Sequence, residues 1–212
     1  MSLLIAQWFA KFKSSPLIFF LVWAILTAIY LLKISREEYV LFSTGCMTMG
    51  SEILVFFAFQ IYFGYIYLQI GMIITVILAG LLPGARLGNK LQRRGQQILV
   101  LSDGLLIALL ASFILAVDGF GDRLPVSFYL IFGFVVSLVC GFQFPVAQYL
   151  KGSDNSAATR SFSADLMGAA CGTLLTSVVL VPYIGILPSA GVLMGLKLVS
   201  MVLMWMRAGN DQ

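Results

Sequence analysis

The sequence contains no histidine and few charged residues. None of its 212 residues is His, and 10% are Asp, Glu, Lys or Arg, whereas soluble domains carry about 25%. Without histidine, the chain offers no bis-histidine haem ligation, no His-ligated zinc and no Ser-His or Cys-His nucleophile. No other nucleophile–base pair or metal cluster stands out, so we expect no enzyme activity, no metal site and no cofactor held by side chains of this chain. Contact with a quinone or a lipid stays open.

Cysteine is scarce as well, and the excess of positive charge is small. Cys46, Cys140 and Cys171 lie inside apolar runs, which indicates small buried residues instead of a disulfide framework. The net charge is +4, and its basic residues fall between apolar segments instead of forming one soluble basic face. Nucleic acid is therefore not an expected partner.

Apolar residues are abundant. They make up 60% of the chain, against about 45–50% in soluble domains, and the mean hydropathy is +1.00. Such a chain suits a lipid environment. In lipid, an α-helix satisfies all the hydrogen bonds of its own backbone, so helices are the expected spanning structures. We predict an all-α integral membrane protein, with membrane lipids around it and the bacterial inner membrane as its expected location.

The apolar runs predict one polytopic domain over residues 1–212 with about seven spanning helices. The predicted spans are 16–34, 39–62, 65–84, 97–117, 126–149, 160–182 and 186–206. Residues 1–15 are predicted to lie along the membrane surface, 16–34 to form an additional anchor helix, and 39–206 to form a six-helix core. No repeat of 20–50 residues is visible.

Basic residues predict the orientation. With the N-terminus outside and the C-terminus cytoplasmic, nine basic residues face the cytoplasm and three face out. The cytoplasmic nine are Lys33, Arg36, Arg86, Lys90, Arg93, Arg94, Lys151, Arg160 and Arg207. Arg86, Lys90, Arg93 and Arg94 belong to a predicted basic turn over residues 81–97.

Glu52 lies in the middle of a predicted span. An ionised group at that depth is costly unless it pairs or faces water. The helical face that carries it is part polar and is predicted to point into the bundle; it holds Gly45, Thr48, Glu52, Phe56 and Phe59, with Gln60 at its edge. A proton or substrate site and a paired residue that fixes helix packing are both open. Lys197, at similar depth in the last span, is the predicted partner.

The sixth span carries a narrow stripe of small and polar residues: Ser161, Asp165, Gly168, Gly172 and Thr176. Gly168 and Gly172 have the spacing that lets two helix backbones approach closely, so we assign them to helix packing. Asp165 lies about one turn inside the cytoplasmic edge. It either gates a water-filled cavity or holds a neighbouring helix by a hydrogen bond.

Two further polar positions have local interpretations. Pro145 lies within an apolar span and predicts a kink, with the Gln143 and Gln148 amides available to the freed carbonyl. A substrate-lining bend is the alternative. Asp103, near the start of the fourth span, is predicted to form a salt bridge with Arg93 or Arg94.

Four stretches resemble the membrane domain of the fused spermidine-synthase-like proteins, a domain likened to major-facilitator transporters. They are "STGCMTMGSEILVF" (43–56), "PGARLGNKLQRRG", "GFQFPVAQYL" and "FSADLMGAACGTLLTSVVLVPYIG", in the family's order within residues 40–205. The matched positions are Glu52, Gly141, Phe144, Pro145, Asp165, Gly168 and Gly172. The resemblance implies a six-helix membrane domain that leads into a cytoplasmic enzyme domain.

That soluble domain has no counterpart in the 212 residues, and the helix at 16–34 is additional. We therefore do not expect aminopropyl transfer from this chain. The first functional hypothesis is a non-catalytic subunit that anchors or completes a larger membrane complex, a redox complex included. The alternative is a small-solute or proton-coupled transporter acting as a homo-oligomer, since buried ionisable groups often mark pathways.

Overall fold

The computed structural model describes residues 16–64, 67–92, 95–152 and 155–208, and within these ranges the chain is helical, with short turns and no strand. It divides into two compact units between Ser35 and Arg36. The first unit contributes α1, Pro16–Leu31, an apolar helix of 16 residues. Because a spanning helix needs about 20 apolar residues, α1 falls short of the span predicted at 16–34. The predicted surface segment at 1–15 lies outside the described residues.

The second unit is a bundle of six long apolar helices. They are α2 (Arg36–Phe63), α3 (Tyr67–Leu91), α4 (Gly95–Phe120), α5 (Val126–Lys151), α6 (Asn155–Leu174) and α7 (Ile186–Ala208). A π-helical turn, Leu175–Leu180, and a last helical turn, Val181–Ile184, extend α6. All six are long and apolar enough to cross a membrane. The prediction of an all-α integral membrane bundle is confirmed, with six membrane-length helices among the described residues instead of seven.

The turn predicted over residues 81–97 is wrong for most of its length. Helix α3 passes through Pro83 and continues to Leu91, and α4 begins at Gly95. The reason is packing, because Gly84 and Gly88 lie directly against the backbone of α5 and hold this segment in a helix–helix interface. Arg86 and Lys90 are exposed on the last turns of α3, and Arg93 and Arg94 lie outside the described residues.

The helix interfaces repeat after three helices. The most extensive are α3 with α5, α2 with α6, and α4 with α7, followed by α2 with α5, α2 with α7 and α4 with α5. If α2 is exchanged with α5, α3 with α6 and α4 with α7, the same six helix pairs are obtained. The bundle therefore consists of two three-helix repeats. Because three is odd, the second repeat runs through the membrane in the opposite direction to the first, as in inverted-repeat membrane folds.

Close glycine contacts obey the same correspondence. A Cβ added at Gly168 would overlap the Phe42 carbonyl on α2, and a Cβ added at Gly84 would overlap the Leu138 carbonyl on α5. Two further pairs of contacts match in the same way. Gly172 lies against Cys46 as Gly88 lies against Phe142, and Gly45 lies against Asp165 as Gly141 lies against Leu81. Both repeats thus use small residues to bring backbones together, which is how helices associate in lipid.

Exposed cations gather at one end of the bundle, which we call the basic end. It comprises the starts of α2, α4 and α6 and the last turns of α3, α5 and α7. Among the described side chains, its exposed cations are Arg36, Arg86, Lys90 and Arg160. At the other end, Asp118 and Arg123 are exposed. Membrane proteins retain basic loops in the cytoplasm, so we propose that the basic end is cytoplasmic.

Cysteine labelling tests this orientation. The native Cys46, Cys140 and Cys171 are buried and form an unreactive background. In intact cells, we expect a membrane-impermeant maleimide to label Asp118→Cys but not Lys90→Cys, and we expect permeabilisation to expose the latter. The reverse labelling pattern would place the basic end outside.

Candidate functional site

A buried ion pair lies inside the bundle. Lys197 of α7 and Asp103 of α4 each have 0% of their surface exposed, and Lys197 Nζ lies 2.9 Å from Asp103 Oδ1. Lys197 donates two further hydrogen bonds of 2.9 Å, to Thr44 Oγ1 on α2 and to Gln143 Oε1 on α5. All three ammonium donors are therefore used.

The Asp103 carboxylate is satisfied as well. Gln143 Nε2 donates to Asp103 Oδ1 at 2.7 Å, and Ser200 Oγ donates to Asp103 Oδ2 at 2.7 Å. Gln143 also donates to Ser102 Oγ at 2.8 Å. We call these six residues the buried network: Thr44, Ser102, Asp103, Gln143, Lys197 and Ser200. It is neutral overall, and the opposite charge with full hydrogen bonding is what makes a buried ion pair tolerable.

The buried network forms a polar layer between two apolar clusters. Thr44, Asp103 and Gln143 each lie eight residues from the basic end of their helix, about 12 Å along its axis. The cluster on the basic side includes Leu99 and Met204, and the larger cluster beyond the network is built around aromatic side chains such as Phe113, Tyr129 and Phe132. Because apolar side chains lie on both sides and the charged side chains are 0% exposed, the charges act in a low dielectric.

The network also joins the two repeats. Thr44, Ser102 and Asp103 come from the first repeat, and Gln143, Lys197 and Ser200 come from the second. Each repeat contributes one member of the ion pair. The arrangement therefore fastens the repeats together in one relative position, because displacing either repeat would separate the charges in an apolar surrounding.

The predicted pairing of Lys197 with Glu52 is wrong, because every donor of Lys197 is used by Thr44, Asp103 and Gln143. Similar depth brought Glu52 and Lys197 together in the prediction, but the rotation of α2 turns Thr44 towards Lys197 instead. Asp103, which was predicted to pair with Arg93 or Arg94, pairs with Lys197 instead among the described residues; Arg93 and Arg94 lie outside them.

Glu52 lies at the margin of the bundle instead of facing inwards. Its side chain is half-buried, and within the described residues its carboxylate makes no hydrogen bond or ion pair. On the same predicted face, Thr48 and Phe59 are buried, whereas Gln60 is exposed. Glu52 is therefore an intramembrane acid whose partner the bundle itself does not supply.

The stripe predicted on α6 faces α2. Ser161, Gly168, Gly172 and Thr176 are buried, and Asp165 is half-buried. Gly168 and Gly172 lie at the close contact with α2 described above. The Asp165 backbone carbonyl lies in the same contact, whereas its carboxylate has no hydrogen-bond or ion-pair partner within the described residues.

Pro145 lies within α5, which continues to Lys151, and its ring packs against Gly88 of α3. The two Gln143 amide hydrogens bond to Ser102 and Asp103. They are not available for the carbonyl freed by Pro145, so that predicted role of Gln143 is wrong. Gln148 lines a surface pocket of 410 Å³ at the basic end, together with Asn89 and Gln92.

A second ion pair lies at the basic end and links two helices there. Glu38 of α2 pairs with Lys151 of α5, both side chains being 8% exposed, and Arg160 Nε of α6 lies 3.8 Å from the same Glu38 oxygen. From the sequence, Lys151 and Arg160 were used only to predict which end of the bundle is cytoplasmic. Here they also join the second repeat to the first.

The role of Asp103 and the participation of Thr44, Ser102 and Ser200 were not predicted. One signal was available, because Thr44, Asp103 and Gln143 are polar and equally distant from the basic ends of three apolar helices. Among the described residues, no group of three His, Cys, Asp or Glu side chains is placed to hold a metal ion. Comparisons with protein-family models, curated proteins and solved structures gave no match to this chain.

Proposed function

We propose that this chain is a non-catalytic integral membrane subunit that anchors or completes a larger membrane protein complex. The observation that carries the proposal is the contrast between two intramembrane acids. Asp103 is completely buried and fully paired within the chain, whereas Glu52 is half-buried and unpaired within the described residues. An unpaired carboxylate in lipid is costly, and a second membrane protein that covers it removes that cost.

The remaining features support the same role. The charged groups at the centre of the bundle are used to hold its repeats together, which suits a rigid anchor. The resemblance to the spermidine-synthase-like membrane domain also fits, because that domain accompanies a soluble enzyme domain. Since the chain contains no histidine, a haem in such a complex would take histidine ligands from the partner.

Native mass measurement tests this proposal. We expect the tagged chain, isolated from its own membrane in mild detergent, to carry a different membrane protein in stoichiometric amount. Glu52→Gln should lose that partner while the thermal unfolding temperature of the isolated chain stays the same, because Glu52 makes no internal bond. Asp103→Asn is the matched control, an acid that is used internally, and it should lower the unfolding temperature. Recovery of the chain alone or as a homodimer would contradict the proposal.

A transporter of protons or small solutes is the second candidate. The observation in its favour is the charged network between inverted repeats, since secondary transporters bind substrates near the midplane where such repeats meet. In vesicles that contain this chain alone, a transporter would give proton flux above that of empty vesicles under an imposed membrane potential. Asp103→Asn, which removes a charge of that network, would abolish the flux at equal incorporation. Flux equal to that of empty vesicles would count against proton transport.

A further inference from the structure

The other described helices of the second unit leave one stripe of α2 uncovered. Although α2 is the most buried of the six long helices, five residues on one side of it are half-buried or exposed. They recur at helical spacing and form what we call the α2 stripe: Met49, Glu52, Ile53, Phe56 and Gln60. The stripe is apolar except at Glu52 and Gln60. Glu52 lies 16 residues after the start of α2 and 11 before its end, about 16 Å from the end opposite the basic end.

An ionised Glu52 needs a hydrogen-bond donor or a cation from outside the bundle. Gln60 is exposed and, like Glu52, has no hydrogen-bond partner within the described residues. In lipid, a carboxylate is stabilised by protonation or by a cationic or hydrogen-bonding partner. A cationic or hydrogen-bonding partner would come from a neighbouring membrane helix, because the acid lies far from both ends of α2.

A second copy of the chain does not supply a suitable cation. Among the described spanning helices, Lys197 is the cation near mid-depth, and it is 0% exposed with all three donors used. Arg86, Lys90 and Arg160 lie within about two turns of the basic end, too far from Glu52 to reach it. A homodimer through the stripe would therefore place two acids in one interface.

We infer that the α2 stripe docks a membrane-spanning helix of a different protein that presents a Lys or Arg at the depth of Glu52. This inference rests on the proposed function and specifies the chemistry of the partner. The apolar side chains of Met49, Ile53 and Phe56 would pack against that helix, and the ion pair would set its depth and rotation. In lipid, the pair is worth more than a surface pair, since the alternative is an unpaired charge.

Designed peptides test the inference without the native partner. The first peptide is a Leu/Ala transmembrane helix with one Lys at the depth of Glu52, and the control peptide has Met at that position. Binding in phosphatidylcholine vesicles is measured by energy transfer to the protein labelled at Lys90→Cys, an exposed position at the basic end. We expect the Lys peptide to bind about tenfold more tightly than the Met peptide. Glu52→Gln should remove the difference, and Asp165→Asn, at an acid of α6 that is also unpaired within the described residues, should keep it.

Each other outcome overturns the inference. Equal binding of the two peptides shows that no cation is recruited. If only Asp165→Asn loses the preference for the Lys peptide, Asp165 and not Glu52 recognises the cation. If the protein self-associates through Glu52 without peptide, the stripe binds a second copy of the chain. Unfolding of Glu52→Gln gives Glu52 an internal role that excludes docking.

The two proposals can fail separately. If the Lys peptide binds through Glu52 but the native chain is recovered alone, the subunit role fails and the stripe chemistry stands. If a native complex is recovered but the peptides bind equally, the subunit role stands and the assigned partner chemistry fails.

Discussion

Asp103→Asn is expected to destabilise the bundle by about 3–5 kcal/mol, because it leaves the Lys197 ammonium buried without its counter-charge. Lys197→Met should cost a similar amount, since it strands the Asp103 carboxylate with Gln143 and Ser200 as its remaining donors. The double variant Asp103→Asn/Lys197→Met removes both charges and should be less destabilised than either single variant. A double variant whose loss equals the sum of the single losses would show that the two charges are not coupled.

The buried cysteines provide the measurement. Cys46, Cys140 and Cys171 react with a fluorogenic maleimide only as the bundle opens, so their reactivity on heating or in denaturant reports unfolding. Arg160→Gln is the control for an exposed charge. Arg160 is 66% exposed and lies 3.8 Å from Glu38, so its loss should cost at most about 1 kcal/mol.

Gly168→Ala is expected to destabilise the bundle by about 1–3 kcal/mol, because the added methyl group would overlap the Phe42 carbonyl and push α6 away from α2. Gly84→Ala should cost a similar amount, since its methyl group would overlap the Leu138 carbonyl in the corresponding interface between α3 and α5. The same unfolding assay measures both losses.

Gly195→Ala is the matched control for these two variants. Gly195 lies within α7 and has open space where the methyl group would be placed. Alanine should therefore stabilise that helix by up to about 1 kcal/mol through its higher helix propensity. If Gly168→Ala and Gly195→Ala had the same effect, close backbone packing would not be what the α2–α6 contact requires.

The solvent and the class of the fold could be predicted from the sequence. Runs of about 20 apolar residues need no tertiary information, because each helix satisfies its own backbone in lipid. The segment around Pro83 shows the limit of that reasoning. Its proline and charges predict a turn, but the contacts of Gly84 and Gly88 with α5 keep it helical to Leu91.

The three-helix repeat was invisible in the sequence. Gly45 and Gly141 occupy equivalent positions, but the stretches around them, "STGCMTMG" and "VCGFQFPV", share little beyond the glycine. Equivalence in packing requires only a small residue at the close contact, and the residues beside the two glycines differ between α2 and α5.

The apolar spans, the basic residues that mark one end of them and the presence of costly charges at mid-depth follow directly from the sequence. Which charges meet depends on the packing of the helices. Depth follows from the position of a residue along its helix, but pairing also depends on how each helix is rotated about its axis and which helices are neighbours. Those rotations come from the glycine contacts of α2 with α6 and α3 with α5, which turn Thr44 and Gln143 towards Lys197 and leave Glu52 at the surface of the bundle.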